Sequence, residues 1–108
     1  MTADAAAATI AAARCEHEST CGQVGTGRAF ATADACTAEL TKDAGADLAR
    51  HPCPAGIDSN EVAACVRLLK AESCYPLSTL SRMYTCRPAN LCLRTGTVRL
   101  SEEEIYSE

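Results

Sequence analysis

Residues 58–69 read DSNEVAACVRLL, and both devices that set this fold meet in them. Asp58 and Glu61 stand in the D-x-x-E arrangement, a close relative of the capping box that opens helices. Val62, Cys65, Val66 and Leu69 follow at i, i+3, i+4 and i+7, the spacing of one helical face. A cysteine therefore sits on the face that must be buried. The stretch predicts a helix from about 58 to 72 that is cross-linked through its apolar side.

The same two devices recur along the chain. Residues 3–20 are alanine-rich, and alanine is the best helix former, so a first helix is expected there with Asp4 as a candidate N-cap. Gly22, Gly25 and Gly27 break the chain into a turn. A second helix is expected over 33–50, capped by Thr32. Its inward stripe is Cys36, Leu40, Ala44 and Leu48, recurring every fourth residue. HPCPAGID at 51–58 is a stiff connector with two prolines. A fourth helix is expected from Pro76 or Leu77, with Leu77, Leu80, Met83 and Tyr84 inward, ending before Pro88. Residues 91–100, LCLRTGTVRL, are rich in strand formers but have no partner strand, and are read as extended. The predicted architecture is all-α: a small, irregular four-helix bundle stapled by four disulfides. The domain is expected over 1–93, with 94–108 an extended or partly disordered tail.

Composition says why staples are needed. Leu, Ile, Val and Phe together number 17 among 108 residues, whereas alanine alone supplies 21. So little apolar volume often signals disorder. The net charge of only −4 and the eight cysteines argue the other way. Cross-links lower the entropy of the unfolded chain, each by on the order of 3 kcal/mol for a loop of about 15 residues. An even number of cysteines in a short chain points to an oxidising compartment. The alanine-rich start lacks the basic and leucine-rich parts of an export signal, so such a signal is expected upstream of residue 1. No apolar run approaches the length of a membrane span. With no basic stripe, nucleic acid is not an expected partner.

The cysteines are Cys15, Cys21, Cys36, Cys53, Cys65, Cys74, Cys86 and Cys92. Eight cysteines permit 105 pairings in principle. Cys15 and Cys21, if on one helix, are separated by roughly 9 Å of rise and 120° of rotation, too far to bond each other. Cys36 and Cys65 lie mid-helix on inward stripes and are placed to reach other elements. The simplest framework joins Cys21 to Cys36 and ties Cys15 to Cys86 or Cys92. Zinc is not expected, because no C-x2-C or C-x4-C pair occurs and His17 and His51 are far apart. A thioredoxin-type pair would need C-x-x-C, which is absent.

Other candidates have plain readings. In Glu16-His17-Glu18, consecutive helical residues point about 100° apart, so the three read as exposed helix surface. The glycines at 22, 25 and 27 follow a helix and lack a GK[ST], which makes them a turn and not a phosphate loop. Ser78, Thr79 and Ser81 have no base at a recognisable spacing. His51 and the Glu102–Glu104 run read as solvated. Phe30, Tyr75, Met83 and Tyr84 read first as core; in a chain this poor in aromatics, Phe30, Leu80, Met83 and Tyr84 are also the natural lining of any ligand pocket.

The segments ARCEHESTCG, FATADAC, CPAGID, EVAACVRLLKAESC and TCRPANLC together resemble a family of small, cysteine-rich exported lipoproteins of unknown function linked to natural-product biosynthesis. The resemblance spans about residues 5–93. It implies a lipid-attachment cysteine upstream of residue 1 as the sole membrane contact, and a periplasmic or lipid-anchored place in the envelope. It brings no catalytic residues and no cofactor. Plant-type lipid-transfer proteins also have eight cysteines and four helices, but they carry adjacent CC and C-x-C pairs that this chain lacks. The expected function is an accessory or binding protein that holds an apolar small molecule or an envelope protein. One rival is a cofactor-free cyclase or isomerase using carboxylates among Glu18, Glu39 and Asp43 with His17. The other is a passive structural lipoprotein.

Overall fold

The structure is a computed structural model and describes residues 1–74 and 86–94. Of the described residues 64% are helical, and none lies in a strand. The described residues hold four helices: α1 (Ala3–Thr20), α2 (Ala33–Arg50), α3 (Ser59–Ala71) and the single turn α4 (Pro88–Leu91). The fourth helix expected near 76–87, with Leu77, Leu80, Met83 and Tyr84, falls mostly on 75–85, outside the described residues. Pro88 opens α4, where its missing N–H costs nothing.

Local chemistry sets the helix starts. Thr32 Oγ1 accepts the Ala35 N–H at 3.0 Å, and Asp58 Oδ1 accepts the Asn60 N–H at 2.8 Å. At α1 the cap is Thr2, whose Oγ1 accepts the Ala5 N–H at 3.1 Å. Asp4, expected as that cap, lies instead in the first turn, where its charge suits the positive end of the helix dipole. The glycine segment is a turn: Gly25 N–H donates to Phe30 O at 2.8 Å and Phe30 N–H to Gln23 O at 3.0 Å. Gly22 and Gly27, at φ +78° and +77°, take the left-handed conformation that this reversal needs.

Packing explains the alanine. α1 is the central helix, in contact with both α2 and α3. Ala11 and Cys15 face Cys36 and Leu40 of α2, with Val24 and Phe30 packed alongside. Ala6, Ala7, Ile10 and Ala13 join Leu48 of α2 and Val62, Cys65 and Leu69 of α3. A helix buried on two sides needs short side chains if both neighbours are to approach closely, and methyl groups provide that. Ile57 and Leu91 close the larger cluster. Residues 56–58 lie against 91–93: Asp58 N–H donates to Leu91 O and Leu93 N–H to Gly56 O, both at 2.8 Å. Of the segment expected to be extended, residue 91 ends α4, 92–94 run alongside this connector, and 95–100 lie outside the described residues.

All eight cysteines are bonded, as Cys15–Cys36, Cys21–Cys74, Cys53–Cys92 and Cys65–Cys86. The pairing differs from the simplest framework. Cys15, not Cys21, meets Cys36, because Cys15 is on the α1 face against α2 and Cys21 is past the end of that helix. Cys86 and Cys92 bond Cys65 and Cys53, so neither ties to Cys15. Cys36 and Cys65 do reach across to other elements from their inward stripes. Four such bonds mark an oxidising, exported environment. Among the described residues no helix is long and apolar enough to cross a membrane.

Candidate functional site

The three long helices and the turn at α4 do not close completely. Between them lies a cavity of about 300 Å³. Its apolar wall comes from Ile10 of α1, Ala44 and Leu48 of α2, Leu69 of α3 and Leu91 of α4. Each of these belongs to, or packs on, the larger core cluster, so the cavity is a gap in the core that reaches the surface.

Charge enters this apolar space from three positions. Arg14 lies one turn beyond Ile10 on α1, which puts both on the same face. Its Nε is sealed from solvent and has no hydrogen-bond partner. Asp47 stands at the α2 rim, where its carboxylate accepts from Arg50. Arg87, just before α4, completes the wall. A buried N–H left unpaired costs about 1–3 kcal/mol. Ligand sites have this composition: mostly apolar lining and a few placed polar groups.

The residues singled out from sequence are distributed otherwise. Phe30 is half-buried against Ala11, Cys15, Cys36 and Leu40, on the other core cluster from this cavity. Leu80, Met83 and Tyr84 lie outside the described residues, as do Ser78, Thr79, Ser81 and Glu102–Glu104. Glu39 and Asp43 are exposed on α2, and His51 is the exposed C-cap of that helix.

His17 is a correction. Read as exposed surface, its side chain is only 12% exposed. Its Nε2 lies 3.1 Å from Glu72 O and 3.2 Å from Ser73 O, and its Nδ1 is 3.8 Å from Glu72 Oε1. The cause is tertiary: the Cys21–Cys74 bond draws the chain after α3 across the end of α1. Glu18 is half-buried, and the carboxylate brought to His17 is that of Glu72. His17, Cys21 and Cys74 offer ligand atoms within 4.8 Å of one another. With the two sulfurs joined covalently, no thiolate is available there to bind a metal.

Sequence reasoning missed Arg14 and Asp47. The available signal was their spacing: Arg14 follows Ile10 by four residues and Asp47 neighbours Leu48, so both border the apolar stripes. Residues 15–94 match the profile of a family described as "Family of unknown function (DUF6184)". No curated protein and no solved structure matches the chain.

Proposed function

The chain belongs to this family of unknown function, and we propose that it is an exported binding protein for a small apolar molecule carrying an anionic group. The observation that carries this reading is Arg14, with its Nε buried and unpaired, in the wall of a cavity whose apolar lining includes Ile10, Leu48, Leu69 and Leu91 and whose other charged residues are Asp47 and Arg87. The hydrocarbon part of the ligand is held by removal of apolar surface from water. The anionic part is held by charge-assisted hydrogen bonds to Arg14, and Arg87 adds a second positive charge to the same wall. The Cys65–Cys86 bond, whose Cys86 lines the cavity, supplies preorganisation that a small domain otherwise lacks. The resemblance of the sequence to exported lipoproteins supports a place in the envelope, and a ligand belonging to natural-product biosynthesis or export.

The probe pair is octanoate and octanol, which share a chain and differ in charge. Octanoate raises the melting temperature of the purified protein as its concentration rises, and octanol does so less. Arg14→Met removes the difference between the two. If neither compound shifts the melting temperature, or if Arg14→Met leaves the preference for octanoate intact, the reading fails.

A further inference from the structure

The Cys21–Cys74 disulfide differs from the other three in what surrounds it. Of the eight cysteines Cys74 alone is exposed, whereas Cys15, Cys36 and Cys65 are buried and the rest are half-buried. A surface pocket of about 240 Å³, lined by His17, Thr20, Lys70, Glu72 and Ser73, has Cys74 on its wall. The other sulfur, Cys21 Sγ, is half-buried and lies 3.5 Å from Nε2 and 3.9 Å from Nδ1 of His17. The bond therefore has one end open to a reagent and the other against an imidazole.

We propose that Cys21–Cys74 is an exchangeable disulfide that oxidises dithiols, attacked at Cys74, with His17 stabilising the sulfur that leaves. Access decides which sulfur is attacked, and the leaving thiolate's stability sets the rate. A thiolate of the incoming dithiol forms a bond to Cys74 Sγ. The Cys21–Cys74 bond breaks, and its electron pair departs on Cys21 Sγ. That sulfur belongs to the C-cap of α1, the negative end of the helix dipole, where an anion is disfavoured. The His17 Nε2–H, which donates to the Glu72 and Ser73 carbonyls in the oxidised protein, turns to the new thiolate. The buried Glu72 carboxylate lies 3.8 Å from Nδ1, on the same ring. The second thiolate of the dithiol then attacks its own partner sulfur and expels Cys74 thiolate. The dithiol leaves as a disulfide, having given up two electrons and two protons; Cys21 and Cys74 hold both as thiols.

This activity is independent of ligand binding in the core cavity. The test treats the oxidised, full-length protein with reduced glutathione under native conditions, quenches with iodoacetamide at intervals and maps each cysteine by mass spectrometry. Cys21 and Cys74 are labelled first, with the transient glutathione adduct on Cys74. His17→Ala slows this opening by roughly tenfold to a hundredfold, the range for loss of one hydrogen bond to a charged group. It leaves the reactivity of the other six cysteines unchanged, and added imidazole restores part of the rate, which a purely structural role would not allow. His17→Asn, closer in shape, serves where the alanine variant folds poorly, and is also slowed. Simultaneous opening of all four disulfides, an adduct on Cys21, or wild-type rates in both His17 variants would overturn the proposal.

Discussion

Cys15–Cys36 and Cys21–Cys74 leave α1 six residues apart and end in opposite surroundings. The first is a core element: Cys15 is 7% exposed, Cys36 is fully buried, and Ala11, Leu40, Val24 and Phe30 pack around them. The second is surface chemistry, with an exposed sulfur at one end and an imidazole at the other. Loop length and burial rank the two bonds differently. Cys21–Cys74 spans 53 residues and Cys15–Cys36 spans 21. That difference favours the longer loop by only about 0.8 kcal/mol, because closure entropy grows with the logarithm of length. Burial favours Cys15–Cys36 by about 2 kcal/mol, since removing two enclosed sulfurs forfeits packing as well as the cross-link. Burial wins, so the shorter loop marks the more valuable bond. Stability and reactivity are thus divided between two sulfur pairs on one helix.

The sharpest way to break this comparison is to delete each bond. Replacing Cys15 and Cys36 with alanine costs about 5 kcal/mol in urea unfolding, of which about 3 is chain entropy. The same replacement of Cys21 and Cys74 costs about 4 kcal/mol. The reverse order would show that Cys15–Cys36 is not a packing element. Next in size is Leu40→Ala, which empties the wall beside the buried bond at 4% exposure and costs about 3 kcal/mol by calorimetry. Thr32→Ala removes the cap that starts α2 just ahead of Cys36. It lowers stability by about 1 kcal/mol, seen as an earlier loss of helical circular dichroism on heating. The smallest effect belongs to the surface end. Glu16→Ala breaks an exposed ion pair with Lys70 and changes stability by less than about 0.5 kcal/mol. A larger loss there would mean that the rim of the Cys74 pocket also carries structural weight.

The helices were legible because their signals act over a few residues. Thr32 and Asp58 cap within three positions of themselves, and the stripes Cys36–Leu40–Leu48 and Val62–Cys65–Leu69 repeat within single helices. The glycine turn and the all-α class followed for the same reason. The candidate site was less legible. Phe30 stands out in the sequence as a scarce aromatic, and the structure gives it to the sulfur-centred cluster. Arg14 follows Ile10 by four residues, and that spacing puts it on the buried face without telling that a cavity lies there. Sequence alone places His17 in solvent, because its neighbours in sequence point elsewhere and the group it meets is 55 residues away.

From the sequence alone came the caps, the inward stripes, the turn, and a scarcity of apolar volume that demanded cross-links. Which cysteines join, which histidine gains a carboxylate, and where the core stays open were decided by the packing of α2 and α3 against α1. Those outcomes are distances between residues far apart in the chain. Such distances are set by the angles and separations at which helices meet, and alanine, which lets both neighbours approach, leaves no side-chain pattern from which to read them.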